Sequence, residues 1–580
     1  MSVDNVVELE TDVLVIGAGG AGMSAALTAS QDGSRVILAD RSLIGRGGAT
    51  IMAQMTVAAA LGEQVPDDWR HHYVDTLKAG RGLCSEPLAR LVCESGVDAI
   101  RQLQNWNVGW ASVDGHLSQV QAPGHDRPRC VYVDYLNTGP AVAKTLRTQV
   151  AQEPLVRRLG DMLILDLLRE NGRVVGAAAL SLATGEPVVL RAPAVIIATG
   201  GLTRLYRRNS ASLNMGGDGY ALALRAGARL IDMEFVQFFP IGHLAPRLVG
   251  FDPIMWDPFR YKLGGRLLNG LGEEFVEKYG HAAEKEGYTV TRDAATYAIL
   301  KEVEAGRGTP AGGAYLSFQH VPEETLKKAF GPIIKKLAAQ GIDLTKAPIE
   351  VAPIAHYHMG GIRVELDMST DVPGLYAAGE AVGGANGANR LSGNAITEAI
   401  TFGFQAGHSA AAWAAQAEPV TAERARELAA DALAQLNTPS NRPGLNVAAL
   451  IARLQCLMQA DVGPFRTEES LERALKELAV LRDELGEGLP GGGVQDLVRL
   501  DALDLRNMLL VAEAVTRAAL SRRESRGAHQ RLDYPYLGDG WEVNQSLALN
   551  AQAWQLEQLP VQRLEPAVDL SVADAAASEN

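Results

Sequence analysis

Four cysteines are spread over 580 residues, and no two of them form a C-x-x-C pair. That spacing argues against an iron–sulfur cluster or zinc site within this chain and leaves no disulfide framework. Cys84, Cys93, Cys130 and Cys456 read as buried thiols, which suits a reducing compartment. Positive charge is also short: 54 Lys and Arg stand against 68 Asp and Glu, for a formal net charge of −14. General attraction to nucleic acid or to an anionic membrane is disfavoured, and an anionic substrate needs a locally basic pocket. No apolar run reaches the length of a membrane span. The N-terminus lacks the basic, apolar and cleavage regions of a signal peptide. The chain reads as cytoplasmic, reaching the inner membrane face only through a partner.

What is present is an ordinary globular mixture, 47% hydrophobic and 21% charged, long enough for two or three domains with real cores. Its most informative stretch is ETDVLVIGAGGAG, residues 10–22, followed by Asp40 at the end of RVILAD. Val13 to Ile16 read as a buried parallel strand, and Gly17, Gly19 and Gly22 match G-x-G-x-x-G where a helix over Ala21–Ser30 begins. Gly17 permits the tight turn, Gly19 lets backbone approach a pyrophosphate, and Gly22 lets helix and strand pack closely. Asp40, ending a second strand over Arg35–Ala39, is placed to accept hydrogen bonds from an adenosine ribose.

Two further strands end in glycine. Ala194 to Ala198 runs into Thr199-Gly200-Gly201, and Leu375 to Ala378 into Gly379-Glu380. These distant segments predict a single α/β nucleotide-binding fold assembled from separated pieces. A Rossmann-like domain is expected over 1–232 and 349–418, interrupted by an inserted α+β domain over 233–348 whose first part is rich in aromatics. Helical periodicity then predicts a C-terminal helical domain over 419–545, its last long helix stopping near Arg526-Gly527. Residues 546–580 form an extension whose small, acidic end reads as disordered.

The runs MGGDGYALALRAGA (215–228), AHYHMGGI (355–362), GLYAAGEAVGGANGANRLSGN (374–394) and RRESRGAHQRLDYP (522–535) resemble the flavoprotein subunits of succinate dehydrogenase and fumarate reductase, a family that includes L-aspartate oxidase. The resemblance implies FAD rather than NAD, a capping domain over the isoalloxazine, and hydride transfer between flavin N5 and a carbon–carbon bond flanked by carboxylate. It assigns cofactor contacts to Gly17, Ala18, Gly19, Gly20, Ala21, Asp40, Arg41, Gly48, Ala49, Thr50, Gln54, Thr199, Gly200, Asp218, Glu380, Arg390, Ala395 and Ile396. His356 and Arg390 are expected in glycine-rich loops. Arginine offers a planar fork for a carboxylate and histidine a further donor, which suits a substrate clamp. A structural ion pair for Arg390 and a satisfied core histidine at 356 are the alternatives.

Several positions depart from the family pattern. The histidine that carries covalent FAD falls at Ala49 in Gly48-Ala49-Thr50, so attachment there is chemically impossible and non-covalent FAD is expected. Q-F-H-P-T-G appears as Gln237-Phe238-Phe239-Pro240-Ile241-Gly242, with Phe239 in place of a substrate-contacting histidine; His243, four residues on, is a candidate to compensate, against a plain reading as an exposed loop residue. One inserted residue aligns Asp257 and Arg260 with the acid-x-x-arginine that moves the substrate proton; without it Tyr261 takes that place, and a surface ion pair is the plain alternative. The Gly124–Arg129 stretch (GHDRPR) is similar to a G-G-H-S-x-x-R run of aspartate oxidases, though a polar turn serves equally.

Three functions follow: an FAD-dependent dehydrogenase or reductase acting at a carboxylate-bearing C–C or C=C bond; an L-aspartate oxidase-like amino-acid oxidase; or an electron-transferring flavoprotein subunit that has lost this chemistry. A small carboxylate is the expected substrate, no metal is expected in this chain, and electrons pass to an iron–sulfur subunit or a small acceptor. The aromatic insert suits a larger or less polar acid than succinate.

Overall fold

The computed structural model describes residues 6–134, 136–248, 254–256, 263–279, 292–442, 444–491, 496–551 and 553–569. They divide into two compact units: 208–210 with 236–356 form the second, and the remainder the first. The insert thus runs to His356, against the expected end at 348.

The first unit is built on five parallel strands in the spatial order Leu375–Ala377, Ala194–Ile197, Val13–Ile16, Val36–Ala39, Val156–Leu159. The strand over 13–16 is fully buried and reads as a continuous apolar run, as a parallel strand covered on both faces must. It feeds the Gly20–Gln31 helix through the glycine turn. Gly17 has φ +101°, and a Cβ there would lie 2.4 Å from the Ala198 carbonyl oxygen. A Cβ at Gly22 would lie 1.8 Å from Gly17 O, so helix and strand meet as backbone on backbone.

The Asn394–Ala414 helix packs along the Gly20–Gln31 helix by the same device. Cβ atoms at Gly403 and Gly407 would lie 2.5 Å from Ala21 O and 2.6 Å from Ala25 O. A second sheet orders Val7–Glu10, Pro187–Arg191, Arg173–Ser181 and Met162–Glu170.

The helices after residue 419 (Ala422–Ala434, Val447–Asp461, Glu468–Leu485 and Leu497–Ser521) fold within this same unit rather than as a domain apart. The last stops at Ser521, five residues before the expected end. Arg522 is instead drawn into a buried charge network: its guanidinium donates to Glu234, Glu524 and the Trp541 and Val543 carbonyls. The extension is structured up to residue 569, because Val543–Asn550 and Ala553–Pro560 form a hairpin that joins a sheet with Leu230–Ile231 and Gly361–Ile362. The thiols at 84, 93 and 130 are buried, but Cys456 is exposed. Among the described residues no helix is long and apolar enough to cross a membrane.

The second unit holds a four-stranded sheet in the order Val236–Ala245, Ile349–His358, Ala314–Ser317, Arg266–Leu268, the second of these strands leaving the unit at His356. Glu302 anchors its helical side. Its buried carboxylate accepts from Arg307, Tyr279, Asn269 and Lys278, and these bonds hold it far below the usual carboxylate range.

The contact at Gly22 predicts that one methyl group is too many. Gly22→Ala is expected to lower unfolding free energy by at least about 2 kcal/mol, in the range of core overpacking, and to reduce flavin retention. Thermal unfolding and flavin content of the purified variant check this.

Candidate active site

The turn at Gly17–Gly20 is braced by side chains from two other segments. Ala18 N–H donates to Asp40 Oδ2 (2.7 Å), and Gly20 N–H donates to Thr50 Oγ1 (3.0 Å). Asp40 Oδ1 also accepts from the N–H and hydroxyl of Ser42. A carboxylate carries about four lone-pair sites, so these bonds leave capacity for ribose hydroxyls. The Gly20–Gln31 helix receives no side-chain cap from Gly19 and has no acid in its first turn. A Cβ at Gly19 would meet only Thr50 Oγ1, at 3.8 Å, and one at Gly48 nothing within 4 Å. A helix N-terminus with only Gly20 N–H taken by a side chain, beside open backbone, suits a pyrophosphate in charge and in space. The residues present therefore fit FAD.

The Thr199–Gly201 turn closes against Glu380. A Cβ at Gly201 would lie 2.3 Å from Glu380 Oε1, and that oxygen accepts from His358 N–H. Arg390 is brought to the same region, its Cζ 4.4 Å from the centroid of the Tyr357 ring and its Nη1 donating to Leu391 O. Glu398, one turn into the Asn394–Ala414 helix, accepts from Asn386 and faces the Tyr357 hydroxyl. Burial, only partly offset by the Arg390 charge and nearby hydrogen bonds, raises Glu380 to about 8 and Glu398 to about 7. A guanidinium stacked on an aromatic ring thus shares a buried cluster with two carboxyls raised toward neutrality. Ala395 and Ile396 form the first turn of the same helix, entered through Gly393 at φ +88°.

Other expected cofactor residues have partners within the protein. Arg41 is committed to Asp504 (2.7 and 3.0 Å) and Asp218 (3.2 Å), which raises its pKa, and Asp218 also accepts from Asn507. This network ties the strand end at Ala39 to the Leu497–Ser521 helix. Ala49 precedes the short helical turn Thr50–Met52, Gly48 N–H donates to Ser212, and Gln54 O accepts from Leu136 N–H.

His356 lies on the Ile349–His358 strand, not in a glycine-rich loop. In the second unit its Nδ1 pairs with Ser210 Oγ at 2.8 Å, and its ring packs edge-on to Phe239, centroids 5.5 Å apart. The neighbouring His358 is the core histidine of the motif. Tyr220 OH and Met233 O occupy its two nitrogens, and burial lowers it to about 3. His243 is buried on the Val236–Ala245 strand rather than exposed in a loop, with Trp256 Nε1 donating to Nδ1 (3.1 Å) and Nε2 paired with Pro246 O. Asp257, Arg260 and Tyr261 lie outside the described residues.

The Gly124–Arg129 stretch forms a polar turn with Gly124 and Asp126 exposed, but two of its side chains are buried against other segments. His125 Nε2 pairs with Ser392 O at 2.7 Å, and the fully buried Arg129 is held by Asp67, Asp75 and Asp126. It therefore supports the loop that carries Arg390. That loop is also clamped through its backbone, because Ala388 N–H donates to Gly80 O and Ala388 O accepts from Ala528 N–H. Sequence reasoning missed Tyr357, Asn386 and Glu398. The usable signal was a single acid in the otherwise apolar run AITEAITFGF.

Residues 12–396 match the family model of an FAD binding domain, and residues 451–569 that of the fumarate reductase flavoprotein C-terminus. One chain of the fumarate reductase (CoM/CoB) of Methanothermobacter marburgensis is 36% identical over 546 residues, covering 93% of this chain and 97% of that protein. The L-aspartate oxidase of Streptomyces coelicolor is 34% identical over 537 residues, 91% and 89% of the two chains. A mutant of the Escherichia coli quinol fumarate reductase FrdA superposes with a TM-score of 0.89 at 30% identity, covering 96% and 98%.

Raised carboxyl groups give a pH dependence of known sign. Between the ordinary value of 4.5 and about 7, folded Glu398 binds more proton than the unfolded chain, so its contribution to stability falls as pH rises through that window. Glu398→Gln cannot ionise and should lose less stability than the wild type between pH 5 and pH 8, by roughly 1–3 kcal/mol. Urea unfolding of the apoprotein at the two pH values measures it.

Proposed function

We infer what the site does from one premise: the chain belongs to the succinate dehydrogenase and fumarate reductase flavoprotein family. It is an FAD-dependent oxidoreductase, and we propose that it acts at a carbon–carbon bond next to a carboxylate. The observation that carries this reading is Arg390, a buried guanidinium stacked on Tyr357 in the cluster that includes Glu380. Stacking fixes the plane of the guanidinium fork, so a carboxylate is bound bidentately and its α- and β-carbons are oriented. His356, its ring oriented by Ser210, is the further donor.

The phosphates of FAD would rest on the Gly17–Ala21 turn, with the ribose at Asp40 and the contacts at Thr50, Thr199, Gly200, Glu380 and the Ala395–Ile396 helix start completing its site. When bound, FAD supplies the two-electron acceptor or donor. Arg260 moves the substrate proton at the other carbon, with Asp257 as its relay. An arginine holds its proton too tightly to act unless that proton is replaced as it leaves. Electrons leave through a separate iron–sulfur subunit or a small acceptor, in keeping with the absence of C-x-x-C pairs in the sequence. The aspartate oxidase reading draws on His125, which braces the Ser392 carbonyl two residues from Arg390. An anaerobic screen of flavin bleaching and reoxidation with succinate, fumarate, aspartate and apolar acids tests the reading; a flavin that responds to no carboxylate overturns it.

Ala49 carries no ring nitrogen to bond the flavin, so FAD is held non-covalently. Acid precipitation is expected to leave all the yellow colour in the supernatant, whereas a fluorescent flavin band on a denaturing gel contradicts it. Arg390→Lys replaces the fork by a point charge. It should lower kcat/KM by roughly ten- to a hundredfold, about 1.5–3 kcal/mol for one charge-assisted bond, with flavin content unchanged.

A further inference from the structure

The face beside the proposed carboxylate donor His356 is aromatic carbon. Phe239 is 1% exposed, and its ring packs edge-on against His356 within the second unit. A phenyl ring offers no hydrogen bond to an anion. The next histidine on the same strand face, His243, does not substitute for one: both its ring nitrogens are engaged, by Trp256 and by Pro246. Trp256 itself is fully buried and packs on Phe318, centroids 6.2 Å apart. His356 therefore has the Ser210 hydroxyl against one nitrogen and an aromatic ring against its edge.

A substrate whose carboxylate is held at His356 meets that ring with its next few atoms. A second carboxylate placed there would give up hydration with no donor from the Phe239 ring in return, a cost of several kcal/mol when uncompensated. An alkyl or aryl group in the same place gains apolar burial at about 25 cal/mol per Å². We propose that the chain acts on α,β-unsaturated monocarboxylates with an apolar β-substituent, or on the saturated acids they correspond to, rather than on fumarate and succinate. In the reducing direction R–CH=CH–COO⁻ takes a hydride at the β-carbon and a proton at the α-carbon. Two C–H bonds form, the π bond is lost, and both electrons come from the reduced flavin.

The inference rests on the carboxylate reading above, and its test separates the two. Dithionite-reduced holoenzyme is mixed anaerobically with crotonate, (E)-cinnamate or fumarate, and flavin reoxidation is followed. Binding of butyrate, 3-phenylpropanoate and succinate is read in parallel from perturbation of the flavin absorbance. The second-order rate constant for crotonate or cinnamate is expected to exceed that for fumarate at least tenfold, with affinities in the same order. Phe239→His should shift that ratio at least tenfold toward fumarate, while Phe239→Leu keeps it within about threefold. Wild-type enzyme that prefers fumarate overturns the inference and leaves the carboxylate reading standing. A ratio unchanged in flavin-replete Phe239→His also overturns it. If no acid reoxidises the flavin, both fall. Should Phe239→His fail to hold flavin, the wild-type ratio and Phe239→Leu decide.

Discussion

Everything in the first unit depends on backbone approaching backbone where side chains would ordinarily intervene. Gly22 lies against the carbonyl of Gly17, and Gly403 and Gly407 lie against the carbonyls of Ala21 and Ala25. Segments nearly four hundred residues apart are pressed into one layer by this means. The approach is what carries Glu398 and the start of its helix to the same place as the glycine turn. A helix with ordinary side chains at 403 and 407 would stand further off, and the carboxyl would move with it.

Close packing creates an electrostatic problem that the site turns to use. Glu380 and Glu398 are buried, and each is more easily protonated than in water. Arg390 supplies the compensating charge, and Tyr357 fixes its plane by stacking. The guanidinium plane is thus set by contacts within the protein itself. Because both carboxyls are raised toward neutrality, the cluster carries less negative charge than two ionised glutamates would.

The fold was largely legible in the sequence because its signals are local. Apolar runs ending in glycine or in an acid named four of the five parallel strands. The edge strand Val156–Leu159, with exposed arginines at its centre, carries no such run. Boundaries failed where long-range partners win: Arg522 leaves a helical pattern because Glu234 and Glu524 hold its guanidinium inside the protein. His356 and His358 stand two residues apart in one motif, and their partners, a serine hydroxyl in one case and Tyr220 with Met233 in the other, tell them apart. His243 was misread for the same reason, since nothing near it in sequence announces Trp256. Tyr357 escaped notice because stacking leaves no spacing signature.

The backbone bridge from Ala528 to Ala388 has a consequence for how the protein is made. Arg526 also donates to the Arg81 carbonyl, and Asn544 to that of Leu83, so the loop bearing Arg390 is braced by the last tenth of the chain acting on its first fifth. Loop closure over such separations comes late in folding. During synthesis the glycine turn leaves the ribosome early, with its helix able to form at once. The loop that carries Arg390 gains these braces only once residues beyond 526 have emerged. The strand Leu375–Ala377 and the Asn394–Ala414 helix, which complete the layer around that turn, emerge before those braces, so the layer can close while the Arg390 loop still lacks its final supports.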